Sequence, residues 1–353
     1  MSYKICGDKV LEKFEENYPD QCSAGLSFDP YKLVAASVRG KMHLRKSTQR
    51  EDAFAVYRDK NWVAIAVSDG VGSSPHSRFG SSFAANHICQ NLLNEINKLV
   101  KTKRSIVPLF PREYEPTEDE LTKAIKNAYL DTTVDLKEYA VSLDNTITSK
   151  INRVNNSTTL PPANDDIEKT ALPVQADKQD DKKELLKPKQ ESVTNKIQIS
   201  LNDMHCTLLT ILLNLKSGCV TIGQIGDGLI LGLNQEKNAV PLLEPLIPEQ
   251  TGETYAITQK DWVKYWSNKV IPSDESKNYI TFFLMTDGIS DDCQFGPPED
   301  ILQRWANDMN SEIRKYDVET TRNRLEKYLN EYEAKGSYDD RTLVVIYRKL
   351  SAK

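Results

Sequence analysis

The sequence predicts an α+β fold in which two mainly antiparallel sheets stack face to face with helices outside, and three observations carry that reading. Eight short segments are apolar and rich in β-branched or aromatic residues, and most are bounded by Asp, Gly or Asn. Several of them follow one another with no helix between, which favours antiparallel pairing over a doubly wound parallel sheet. They are apolar throughout instead of alternating, so both faces of each strand need cover, as two stacked sheets with outer helices provide.

Taken in order, residues 1–32 are read as an N-terminal extension, and the main domain runs over 33–348. Strands are expected at 33–38 (LVAASV), 53–57 (AFAVY) and 62–68 (WVAIAVS). No glycine lies between Gly80 and Gly218, which marks that stretch as helix or linker. Within it, Phe83, Ala84, His87, Ile88, Leu92, Ile96 and Leu99 recur at three- and four-residue intervals, so a helix is expected over about 77–100. A second helix starts at Thr117, an N-cap with Glu120 three residues on, and continues through Leu121, Ile125, Ala128, Tyr129 and Val134. From Asn155 to Ser192, 38 residues hold 8 acidic and 6 basic side chains and four prolines, with no aromatic and no glycine. That composition buries too little apolar surface to offset chain entropy, and a flexible polar insertion is expected there. Strands resume at 207–215, 219–225, 229–233 and 280–286; two amphipathic helices fill 300–333, and a last strand covers 342–347.

The 353 residues carry a formal charge of −5. A mild acid excess disfavours a nucleic-acid surface, which needs clustered positive charge. No apolar run approaches the roughly 20 residues that span a bilayer, and the N-terminus has no apolar signal region, so a cytoplasmic protein with no membrane partner is expected. The six cysteines form no CxxC, and the four histidines make no ligand pair with them, which argues against zinc and for reduced, partly buried thiols.

Three apolar strands end alike: WVAIAVSDG at Asp69–Gly70, CVTIGQIGDG at Asp227–Gly228 and ITFFLMTDG at Asp287–Gly288. A fourth strand follows the doublet Asp339–Asp340, and Glu51–Asp52 precede AFAVY. A single Asp-Gly is a tight turn. Several carboxylates at one end of a sheet repel one another unless cations sit between them, and hard divalent ions take such oxygen ligands, including an accessible glycine carbonyl. The spacing does not fit a haloacid dehalogenase or von Willebrand A-type site, and neither a P-loop nor a G-x-S-x-G elbow is present.

The ordered set EDA, SDGVG, CTLLTILLNLKSGCVTIGQIGDG, LMTDGISDD and DDRTLVVI resembles the metal-dependent protein phosphatases of type 2C, the PPM family, and its bacterial-type members more closely. The resemblance covers roughly residues 33–348 apart from the insertion. It implies an αββα sandwich, a dinuclear manganese or magnesium centre, and hydrolysis of phosphoserine and phosphothreonine esters by a metal-activated water. On it, Asp69 would bridge both ions, Glu51 and the Gly70 carbonyl would hold one, and Asp287 and Asp340 the other. Asp52 would orient water, and Asp291 matches a position associated with a weaker third ion; Asp203 is an alternative there. Asp227 lies in the family's GD motif, which is structural, and is left out of the metal set.

Two features depart from the family. Its phosphate-holding arginine, four residues before the Glu, is here Ser47; Arg45 is the preferred substitute among Arg45, Lys46 and Arg50, with solvated surface charge as the alternative. His43 is a candidate general acid for the leaving group, or else a hydrogen-bonded loop histidine. The polar insertion has no counterpart in compact members, and residues 240–272 look like the family's variable flap. The expected partners are a phosphorylated protein substrate and a cognate serine/threonine kinase or its target, with the chain acting as a monomer. A pseudo-phosphatase binding module and a hydrolase of small phosphate esters are the alternatives.

Overall fold

In the computed structural model, which describes residues 3–13, 18–106, 114–157, 199–244, 246, 248, 253–294, 298–332 and 338–349, the uniformly apolar strands divide by parity. In Trp62–Ser68 (β5), Val63, Ile65 and Val67 point into a core between two sheets. In Tyr31–Val38 (β3), Leu33 and Ala35 enter that core, while Val34, Ala36 and Val38 enter a second one on the outer side. Tyr279–Met285 (β11) and Arg341–Arg348 (β12) divide likewise: Phe282, Leu284, Val344 and Ile346 turn inward, and Phe283, Met285, Leu343, Val345 and Tyr347 outward. A half-exposed strand alternates apolar with polar residues; these are covered twice, each buried side chain being worth about 1.5–3 kcal/mol.

The first sheet has the order β1 (Tyr3–Gly7), β4 (Ala53–Asp59), β5, β6 (Leu208–Asn214), β7 (Val220–Ile225), β10 (Ser267–Ile271). The second runs β2 (Gln21–Phe28), β3, β12, β11, β8 (Leu229–Asn234), β9 (Ala239–Pro241), and every pairing in both sheets is antiparallel. A short helix α1 (Lys41–Lys46) follows β3. On the outer side of the first sheet, α2 (Ser77–Ile106) packs on β4 and β5, and α3 (Glu118–Ser157) brings Ile125 and Tyr129 against Gly223 of β7. The start of α3 carries the expected capping box: the Glu120 amide donates to the Thr117 hydroxyl at 3.3 Å and the Thr117 amide to the Glu120 carboxylate at 3.0 Å. After the one-turn α4 (Ser273–Ser276) come α5 (Asp287–Gln294), α6 (Pro298–Ile313) and α7 (Val318–Glu331); their Ile289, Ala306, Ile313, Leu325 and Leu329 cover the outer face of the second sheet. The layers are helix, sheet, sheet, helix.

Residues 1–32, read from sequence as an extension, supply β1 and β2, one to each sheet. The expected insertion lies outside the described residues except for 155–157, which close α3. Contacts divide the chain into one unit of residues 1–143 with 199–353 and a second of 144–198. In the flap-like stretch, Tyr255 stacks on Tyr265 at 3.8 Å, and Trp262 and Trp266 pack on Tyr129. No helix among the described residues is long and apolar enough to cross a membrane.

Candidate metal centre

Antiparallel pairing sets the end of one strand beside the start of its neighbour, and this brings the sequence-predicted carboxylates together. Asp69 leaves β5, Asp287 leaves β11, and Asp227 lies in the turn from β7 to β8; Glu51 and Asp52 enter β4, and Asp340 enters β12. Carboxylate oxygens of Asp69, Asp227 and Asp287 lie within 4.8 Å of one another. Beside them a second group, His43, Asp339 and Asp340, is equally close-set.

Backbone and hydroxyl donors fix most members. Asp340 accepts from the Gly40 amide at 2.6 Å and the Glu51 amide at 2.5 Å, which ties the strand entries of β12 and β4 together. Asp52 is 1% exposed; its Oδ2 accepts from the Thr286 and Thr342 hydroxyls at 2.9 and 2.8 Å. Its Oδ1 is buried with no donor among the described residues, and its carboxyl contacts the Asp69 carboxyl. Glu51 Oε2 and Asp227 Oδ1 are likewise buried and lack donors. The Asp69 amide donates to the Thr207 hydroxyl at 3.0 Å, and the Asp69 carbonyl accepts from the Thr207 amide at 2.8 Å. Gly70 is required by close approach: a Cβ there would stand 2.9 Å from the Glu51 carbonyl oxygen and from Ser77 Cβ.

This end of the fold holds more negative charge than burial tolerates. Burial raises the carboxyls of Asp69 and Asp287 well above the ordinary range, and neighbouring carboxylates push them further. Glu51 is pushed up to about 7, chiefly by burial, and Asp52 to about 7 by burial and the charge of Asp340. Asp340 and Asp227 are raised, again by burial first. For Asp339 burial acts upward, but the hydrogen bond from His43 prevails and holds it below its usual value. His43 is raised to about 9: burial opposes its charge, and the Asp339 hydrogen bond with the Asp340 and Glu51 charges outweighs it. Its Nε2 lies 3.3 Å from Asp339 and 3.8 Å from Asp340, while Nδ1 meets the Thr48 hydroxyl at 2.9 Å.

Divalent cations fit this donor set. The oxygens are hard, several are buried without a proton donor, and two acceptors in mutual contact, Asp52 and Asp69, need a proton or a cation between them.

Other predicted residues stand apart. Asp291 is exposed, one turn along α5 from Asp287, and Arg45 is exposed with its guanidinium 5.2 Å from the Tyr338 ring centre. Arg50 is unavailable to a ligand: it is wholly buried, pairs with Asp8 at 2.5 Å and stacks over Tyr18. Asp203 accepts from the Ser200 amide and hydroxyl at 2.7 and 2.8 Å, capping a turn at Leu201–Met204. Sequence reasoning set Asp227 aside, although its strand–Asp–Gly pattern repeats that of Asp69 and Asp287. It also missed Arg78, in the first turn of α2, which is half-buried with Nε lacking a partner among the described residues; burial lowers its pKa, and the nearby Glu51 charge opposes that only in part. The only signal for Arg78 was its place shortly after SDGVG.

The sequence model described as Protein phosphatase 2C matches residues 39–330. No curated protein sequence matches the chain. Similar solved structures include RsbX in complex with magnesium, 12% identical, covering 93% of this chain and 100% of that one, with a TM-score of 0.43. Others are a serine-threonine phosphatase 2C from Toxoplasma gondii (12% identity, 94% and 100% covered, TM-score 0.48) and the serine/threonine phosphatase Stp1 from Staphylococcus aureus (13%, 90% and 94%, 0.48).

Proposed function

The chain belongs to the protein phosphatase 2C family, and from that premise we propose that it is a metal-dependent phosphatase hydrolysing phosphoserine and phosphothreonine esters of a protein substrate. The observation that carries the reading is the convergence of Asp69, Asp227 and Asp287 with Glu51, Asp52 and Asp340 at one end of both sheets. In this reading Glu51, the Gly70 carbonyl and Asp69 would hold one divalent ion, and Asp69, Asp287 and Asp340 would hold a second; Asp291 would serve a weaker third. Manganese or magnesium, when bound there, would supply charge neutralisation for the phosphoryl oxygens and would lower the pKa of a water.

The chain's own residues orient and exclude. Thr286 and Thr342 hold Asp52 so that its free oxygen faces the reacting region and accepts a proton from water. His43, kept protonated by Asp339, is the general acid for the leaving serine or threonine oxygen. Arg45 is the basic group proposed to receive the substrate phosphate. The natural partner is a kinase whose products this phosphatase reverses, and the protein is read as a cytoplasmic monomer with the domain organisation described above: one phosphatase domain interrupted by a polar insertion and a flap.

The test is manganese-dependent hydrolysis of a phosphothreonine peptide and of p-nitrophenyl phosphate by the full chain. Turnover is expected, with a loss of about 10²–10³-fold or more in Asp69→Asn and Asp287→Asn. Undiminished turnover in both variants sinks the mechanism. Ser47 in place of the family arginine favours a second reading, a phosphatase-like binding module; it would bind manganese and the peptide without turning it over.

A further inference from the structure

We infer that Asp227 is a ligand of the divalent ion seated between Asp69 and Asp287, and is not merely a residue of a structural turn. The inference rests on the metal-dependent reading above. It starts from geometry: one oxygen each from Asp69, Asp227 and Asp287 falls within a 4.8 Å span. Two oxygens on opposite sides of a hard ion with bonds of about 2.1 Å are roughly 4.2 Å apart, so this triplet closes on one ion with small side-chain movements.

Acid clusters occur without ions, and a separate observation is needed to point to one. Asp52, 1% exposed and outside the triplet, has a buried Oδ1 with no partner among the described residues, and its carboxyl contacts that of Asp69. A carboxylate that serves structure in this molecule is met by donors: Asp203, which caps a turn, takes an amide and a hydroxyl. Asp227 Oδ1 is buried with no hydrogen-bond partner among the described residues, while the Thr254 hydroxyl and the residue's own amide offset part of the burial penalty on its carboxylate. The backbone also keeps it in place. Gly226 has φ +108°, and a Cβ on it would lie 2.5 Å from Thr207 Cβ, so the turn sits flush on the same threonine that anchors the Asp69 backbone.

The experiment is calorimetric titration of manganese alone into the metal-stripped full chain, wild type and Asp227→Asn, with far-UV circular dichroism to establish that the variant is folded. The expected result is at least tenfold weaker binding at one class of site in the variant. A folded variant whose isotherm superimposes on the wild type overturns the inference while leaving the phosphatase reading intact. Wild type that binds no manganese overturns both. If Asp227→Asn does not fold, Asp227→Glu, which keeps the charge and displaces the oxygens by one methylene, is expected to shift the same site; unchanged affinity there overturns the inference as well.

Discussion

Asp52 combines two roles in one side chain: one carboxylate oxygen is saturated by Thr286 and Thr342, and the other has no donor, in a carboxyl that contacts the Asp69 carboxyl. An asparagine at this position keeps a carbonyl for the two threonines and turns an N–H toward Asp69, converting a repulsive contact into a hydrogen bond. Asp52→Asn is therefore expected to raise the melting temperature of the metal-stripped protein by about 2–4 °C while lowering manganese-dependent turnover about 10²-fold. A variant that melts below wild type would contradict the account. The contrast with Arg50 shows what a sequence conveys at this scale. Arg50 sits next to the Glu–Asp pair and reads as a phosphate ligand, yet it is spent on Asp8 and Tyr18, which lie more than 30 residues earlier. No local pattern announces such a pairing.

That same pair matters for the elements it joins. Asp8, just past β1, accepts from Arg50 and from the Phe54 amide at 3.0 Å, and its carbonyl accepts from Asn86 of α2 at 2.9 Å. One buried carboxylate thus locks the edge strand to the entry of β4, and the main-chain carbonyl of the same residue ties in the helix covering them. Removing it strands a buried guanidinium, and Asp8→Ala is expected to cost about 3–5 kcal/mol in urea unfolding; a loss under about 1 kcal/mol would show that the lock is dispensable. The interior strands were legible because both faces are buried and their residues are apolar without a break: the expected 62–68 is the observed span of β5, and the other seven agree within two residues at each end. β1, β2, β9 and β10 went unread because they lie at or next to sheet edges, where half-burial leaves mixed sequences such as YKICG and SNKVI. The order of strands within each sheet was not legible either, since it depends on pairings between distant segments.

Over the whole molecule, charge is concentrated at one end of the sandwich, and this makes stability depend on pH in a definite sense. Glu51 and Asp52, pushed to about 7, and the raised Asp69, Asp227, Asp287 and Asp340 bind protons more tightly folded than unfolded. Their contribution is complete below the ordinary carboxylate range and is lost as pH climbs toward 7 and beyond. His43, raised to about 9, acts in the same direction at higher pH. In chelator, the melting temperature should fall between about pH 5.5 and pH 8, and manganese should remove most of that slope by replacing the protons; a flat or rising profile in chelator would refute the electrostatic picture.

The placement of β12 has a consequence for how the molecule comes into being. It pairs with β3 on one side and β11 on the other, so residues 31–38 wait for partners at 341–348. A chain growing on the ribosome holds most of both sheets long before this strand is made, with the centre of the second sheet still open. Asp340, at the head of that strand, is also the group that fastens Gly40 and Glu51. The carboxylate constellation therefore cannot assemble piece by piece during synthesis; it arises when the last strand inserts, and competence to hold metal reports that the second sheet has closed.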